Sequence, residues 1–186
     1  NLVNYKMRII IPGRKGSKGL PFKNRLLFEQ TADIIPYELR KSVWVTSDDS
    51  VLKTKSKQHN FNFIKRPDSL CQDDTSIRDV LVNAICHIKP DPDEFILLLY
   101  LTYPERTWVH VKQAIEFFLD HYKYGGTTSM LCKKELKTNP FLCLREHGVD
   151  GNYGRQLVSH DLYRRQDYPK CFEISHYIGF FQVSSI

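Results

Sequence analysis

Long apolar runs are missing from this chain of 186 residues. The longest, Phe95 to Leu101, falls far short of the ~20 residues that a membrane-spanning helix needs, and the first residues lack the charged and apolar regions of a secretory signal. Cysteine is sparse. Cys71, Cys86, Cys132, Cys143 and Cys171 make an odd number, with no C-x-x-C pair and no histidine at zinc-finger spacing, which argues against a disulfide framework or a structural zinc site. No Asn-x-Ser/Thr sequon occurs. Only 9 glycines and 9 prolines are present, and repeats and low-complexity stretches are absent, which excludes fibrous and disordered classes. The expectation is a soluble cytoplasmic protein with reduced thiols and no membrane partner.

What is present is ordinary for a globular chain, 41% hydrophobic and 26% charged. The length suits a single domain over residues 1–186 with a real core. β-branched and apolar runs alternate with helix-like segments, the mark of an α/β fold with a mostly parallel sheet flanked by helices. Strands are predicted at Arg8–Ile11, Ser42–Thr46, Phe61–Ile64, Glu94–Leu101, Thr127–Leu131 and Tyr177–Val183. The run through Phe95–Leu101 does not alternate, so it reads as a central strand covered on both faces. Ile77, Val80, Leu81, Ala84, Ile85 and Ile88 follow helical spacing behind a Thr75/Ser76 cap. A second helix is expected from Trp108 to Tyr122, with Val111, Ala114, Ile115, Phe118 and Tyr122 on its inner stripe. Between Phe141 and Asp167, Gly148, Gly151 and Gly154 punctuate short pieces, which reads as a protruding section of the kind that makes dimer contacts.

The charge balance is 27 Lys+Arg against 21 Asp+Glu, a surplus of +6. Such a surplus suits nucleic acid or any other polyanion, and its location decides. It concentrates in Ile9-Ile10-Ile11-Pro12-Gly13-Arg14-Lys15-Gly16-Ser17-Lys18-Gly19-Leu20-Pro21-Phe22-Lys23-Asn24, where an apolar strand opens into a loop with three glycines and the cations Arg14, Lys15, Lys18 and Lys23. Glycines let backbone N–H groups approach an anion while Arg and Lys neutralise phosphate oxygens, so the loop suits a di- or triphosphate. Its spacing matches neither the Walker loop nor the dinucleotide G-x-G-x-x-G pattern. A solvated basic turn is the rival reading, and the loop's place at the carboxyl end of the first strand favours ligand binding over it.

The same stretch resembles the N-terminal signature of the acylneuraminate cytidylyltransferases, the CMP-sialic acid synthetases. Further matches keep the family's order: Val45-Thr46-Ser47-Asp48-Asp49; Arg66-Pro67 with Leu70 and Asp73-Asp74-Thr75-Ser76; Thr102-Tyr103-Pro104-Glu105-Arg106-Thr107; and Arg164-Arg165-Gln166-Asp167-Tyr168-Pro169. The resemblance implies a Rossmann-like nucleotidyltransferase domain that joins CMP from CTP to a nonulosonic (sialic-acid-like) sugar acid, releases pyrophosphate and works as a homodimer. It makes Arg14 and Lys23 catalytic through the triphosphate. It also assigns Gly13, Ser17, Lys18, Asn24, Arg66 and Asp73 to CTP, and Arg106, Arg165 and Gln166 to the acidic sugar, whose carboxylate suits a guanidinium.

On residue chemistry alone, Asp73 and Ser76 serve equally as helix caps, with Ser76 leaning structural, and Asp48 and Asp49 suit either ribose or a helix N-terminus. The seven histidines show no metal or triad pattern. The family usually carries Gln-Pro where Tyr100-Leu101 stands here, and its Asn-Gly-Ala-Ile-Tyr-Ile strand is replaced by Ser175-His176-Tyr177-Ile178-Gly179-Phe180. Magnesium or another divalent cation is the implied cofactor, but the sequence identifies no ligands for it. The family's Asp-x-x-x-Asp element does not occur before Ile186, so the C-terminal end of the domain is expected to be missing. The alternatives are a Kdo-type cytidylyltransferase and a non-catalytic nucleotide- or RNA-binding relative. The absence of an aromatic platform on a strand argues against nucleic acid as the partner.

Overall fold

The computed structural model describes residues 5–16, 20–151 and 153–186. Its centre is a six-stranded sheet in the order β3-β2-β1-β4-β8-β5. The strands are β1 (Met7–Pro12), β2 (Val43–Ser47), β3 (Asn62–Lys65), β4 (Phe95–Leu98), β5 (Ser129–Glu135) and, later in the chain, β8 (Phe172–Gln182). β1 runs parallel to β2 and β4, β2 runs parallel to β3, and β8 pairs antiparallel to β4. All six predicted strands are present. The largest boundary errors are at the last two, where β5 runs four residues past the predicted Leu131 and β8 starts five residues before the predicted Tyr177, while the fourth stops at Leu98, three residues short of Leu101.

Ile9, Ile10 and Ile11 are fully buried on consecutive positions, as a strand with both faces covered requires. One face receives Leu81 and Ala84 from α4 (Ile77–Ile88), against Ile10, Ile64, Ile96 and Leu98. Phe95 and Phe180, neighbouring strand residues, stack at 5.3 Å, and both meet Phe118 of α5 (Trp108–Gly125) edge-on at 5.8 and 4.9 Å. The helix starts follow from their caps. Ser76 Oγ accepts the Asp79 N–H at 3.1 Å, and Thr107 Oγ1 accepts that of His110 at 3.4 Å. Shorter helices α1 (Lys23–Leu26), α2 (Phe28–Asp33) and α3 (Ser50–Gln58) lie between the first three strands in sequence. Among the described residues no helix is long and apolar enough to cross a membrane, and all five cysteines are free.

The chain divides into two compact units, one of residues 1–131 with 176–186 and one of Cys132–Ser175. The second is larger than the predicted 141–167 because β5 and β8 both run on into it; β8 has 11 residues where its partner β4 has 4. It holds an antiparallel hairpin, β6 (Leu144–His147) with β7 (Tyr153–Gln156). Asn139 organises the rest, its side chain accepting the Phe141 N–H at 3.1 Å and donating to the Pro169 carbonyl at 2.9 Å. None of its described residues is buried.

Candidate functional site

The first unit carries a cavity of about 320 Å³ where β1 and β4 end, lined by Gly13, Arg14, Lys23, Asn24, Arg66, Asp73 and Tyr100, among others. This is the carboxyl edge of the parallel strands, where open α/β sheets bind ligands. The geometry begins at the end of β1. Pro12 closes the strand, and the Gly13 N–H crosses to the Thr46 carbonyl at 3.1 Å. A Cβ at residue 13 would lie 2.8 Å from Leu52 Cδ1 and 3.2 Å from Leu101 Cδ1, so any larger residue at this turn requires the Leu52 side chain to move. Asn24 donates from Nδ2 to the Arg14 carbonyl at 2.8 Å and holds the loop's far end against its beginning. Lys23 opens α1 immediately after Phe22, whose left-handed φ of 56° turns the chain back toward the cavity.

Arg66 is 5% exposed and is fixed by two bonds to β2. Its Nη2 donates to the Thr46 carbonyl at 2.8 Å and its N–H to the Ser47 carbonyl at 2.9 Å. Its Nε has no partner in the structure. Burial, and then the neighbouring Arg14, draw the guanidinium below its usual range, against the pull of Cys71 and Asp48, yet an arginine remains cationic at neutral pH. A buried cation without a matching carboxylate is costly, and an anionic ligand removes that cost. Tyr100, at the wall, is pushed up to about 12, first by burial and then by Tyr103.

The carboxylates divide by role. Asp49 is 1% exposed, accepts the Val51 N–H at 2.9 Å as the cap of α3, and pairs with Arg25 at 2.6 Å. Burial alone would raise its pKa. The bonds from Arg25 and Val51, with the charges of Arg25 and Lys15, more than offset this and hold it below 3.8. Its part is structural. Asp48 accepts the Lys15 N–H at 2.7 Å, and Asp73 meets Arg14 at 2.6 Å.

The structure gathers Gly13, Arg14, Lys23, Asn24, Arg66 and Asp73 at one cavity, while Ser17 and Lys18 lie outside the described residues. Arg106 departs from the expectation of a sugar contact. It is 1% exposed, and its guanidinium donates to the Tyr177 carbonyl at 2.7 Å, the Tyr100 carbonyl at 2.8 Å and Thr31 Oγ1 at 3.3 Å. Those bonds turn its charge to the interior, joining α2, the end of β4 and β8. Arg165 and Gln166 sit exposed on a short turn of the second unit, where Arg164 makes a two-pronged bond to Asp167 at 2.9 Å. Tyr100 and Gln72 line the cavity without having been expected there. The available signal for Tyr100 was its place near the carboxyl end of the apolar run Phe95–Leu101.

Among the described residues, the one grouping of metal-type side chains is Glu29, Asp33 and His59. Glu29 there is already bonded to Lys55 and to His59 Nε2. Among the described residues the cavity lining holds no group of three metal-type side chains. Magnesium is ordinarily held by one or two carboxylates together with substrate phosphates.

A mostly parallel α/β domain with a cavity at the carboxyl edge of its strands is the class that this sheet defines. Solved cytidylyltransferases share the fold: a CMP:2-keto-3-deoxy-manno-octonic acid synthetase solved with CTP superposes with a TM-score of 0.62 over 97% of this chain and 76% of that one, at 17% identity. In sequence, the chain is 28% identical over 171 residues to the N-acylneuraminate cytidylyltransferase of Streptococcus agalactiae serotype V, and 31% identical over 132 residues to that of Escherichia coli O18:K1:H7. These alignments cover 85% and 67% of the chain, and it spans only 39% and 31% of the length of those relatives. No protein-family model matches the chain.

Proposed function

We propose that this chain carries the CTP-binding, catalytic part of a cytidylyltransferase that transfers CMP to a nonulosonic sugar acid for glycan biosynthesis. The observation that carries the reading is the convergence of Arg14, Lys23 and the 5% exposed Arg66 on one cavity beside a glycine-turned loop, in a chain similar over most of its length to N-acylneuraminate cytidylyltransferases. The anomeric hydroxyl of the sugar forms the new bond to the α-phosphorus of CTP and loses its proton, while the bond from that phosphorus to the pyrophosphate oxygen breaks. Negative charge builds on the α-phosphoryl oxygens and on the departing pyrophosphate, where fixed cations stabilise it most. Arg14 and Lys23 serve that charge, Gly13 and Asn24 shape the loop around it, and Arg66 holds the nucleotide from below. Arg165 and Gln166 are assigned to the acidic sugar.

Magnesium is the proposed cofactor, arriving with the nucleotide's phosphates and supplying further charge neutralisation. The setting proposed is the cytoplasm, with CTP and the sugar acid as partners and no nucleic acid. A homodimer is proposed as well. The second unit has no buried described residue of its own, while Leu157, Tyr163 and Ile174 are 55%, 93% and 68% exposed. Apolar surface of that kind calls for a covering partner.

The test is pyrophosphate release from CTP and magnesium, assayed with nonulosonic acids, with Kdo and without acceptor. Release that depends on a nonulosonic acid is expected. Release only with Kdo would transfer the activity to that sugar, and CTP binding without release under any condition would remove the enzymatic reading.

A further inference from the structure

Arg14 stands at the mouth of the cavity, 31% exposed, and its Nη1 lies 2.6 Å from Asp73 Oδ1. The two residues come from separate parts of the chain, Arg14 from the loop after β1 and Asp73 from the segment between β3 and α4, and both line the cavity wall. The next residue of the loop shows the same pattern: the Lys15 N–H, a donor suited to a phosphate oxygen, is occupied by Asp48 Oδ1 at 2.7 Å. Thus two of the loop's anion-binding groups are met by the protein's own carboxylates. A carboxylate and a phosphate oxygen make the same charge-assisted bond to a guanidinium, so at Arg14 they compete.

We propose that Asp73 is a built-in competitor of the polyphosphate, holding Arg14 in place until the ligand's phosphates displace it. The proposal rests on the reading of this cavity as a polyphosphate site, and it changes the part given to Asp73 by the resemblance, from a ligand of CTP to a rival of its phosphates. Two consequences follow. The loop is kept ordered before the ligand arrives, which lowers the ordering cost of binding. Affinity is also set below what the cations alone would give, which favours release of pyrophosphate after the reaction.

The experiment is calorimetric titration of inorganic tripolyphosphate, and in parallel of CTP, into the wild type, Asp73→Asn, Arg14→Gln and the double variant. Asp74→Asn, which removes the same charge one residue further on, serves as the control for net charge. Because the pair is partly exposed, Asp73→Asn is expected to tighten tripolyphosphate binding by about two- to fivefold. The gain should exceed that of Asp74→Asn, shrink as salt is raised, and vanish in the Arg14→Gln background. Weaker or unchanged binding by a folded Asp73→Asn protein overturns the proposal, as does an undiminished gain without Arg14. A wild type that binds tripolyphosphate but not CTP removes the cytidylyltransferase reading and leaves this competition standing. A folded wild type that binds neither overturns both.

Discussion

Arg25 Nε lies 2.6 Å from Asp49 Oδ2, and this pair ties the helix that begins with Lys23 to the cap of the helix after β2. Asp49 is held below its ordinary 3.8, so the sign of the linkage is fixed. The carboxylate contributes stability in full above the ordinary Asp range, and that contribution is lost as pH falls below 3.8 through the depressed value. Asp49→Ala should cost about 2–3 kcal/mol, from the lost cap and the lost pair together. Urea midpoints recorded at descending pH should show a shallower acid decline for that variant than for the wild type.

Lys23 is not among the buried core residues, so Lys23→Ala should leave the unfolding free energy from urea titration within about 0.5 kcal/mol of wild type. Turnover of CTP should fall by about 10²–10³-fold, the usual cost of losing one preorganised charge-stabilising group. Equal pyrophosphate release by a folded variant would remove Lys23 from the site.

Gly13→Ala places a methyl group 2.8 Å from Leu52 Cδ1. Both leucines near that turn, Leu52 and Leu101, are buried, so the side-chain shift that the methyl group forces is expected to cost about 1–3 kcal/mol. Calorimetry should show weaker CTP binding, because the loop must shift to relieve the contact.

Arg106→Ala should behave as a folding variant. It strands the Tyr177 and Tyr100 carbonyls and empties a large buried volume, at a cost of about 3 kcal/mol or more. The measurement is the urea midpoint. An unchanged midpoint with a raised KM for the sugar would return this residue to substrate binding.

Ile174→Glu and Leu157→Glu each put a charge on exposed apolar surface of the second unit. Sedimentation at micromolar concentration should move from dimer to monomer, with the far-ultraviolet circular dichroism unchanged. A wild type that already sediments as a monomer would remove the dimer proposal.

Much of the sheet was legible because its chemistry is local. Three consecutive buried isoleucines need two covered faces, and Ser76 caps its helix through an atom only three residues away. The basic loop could be picked out as a candidate site because its glycines and cations fall within a dozen residues, and Gly13, Arg14, Lys23 and Asn24 do line one cavity. Arg106 was not legible: its partners sit 6, 71 and 75 residues distant, and no periodicity tells whether a long side chain turns outward or inward. The Arg14–Asp73 pair and the full extent of the second unit depend likewise on contacts that tertiary structure alone brings together.

The Thr46 carbonyl has two lone pairs, and the structure uses it twice, for the Gly13 N–H and for Arg66 Nη2. A single oxygen atom therefore serves as the common anchor of the glycine turn and the buried cation. Neither can be drawn toward a ligand without straining the bond that locates the other. On the function proposed above, a nucleotide that engaged the loop but missed Arg66 would be disfavoured twice, once for the contact it lacked and once for the misalignment it imposed, so selectivity at this cavity would have a mechanical component as well as a chemical one.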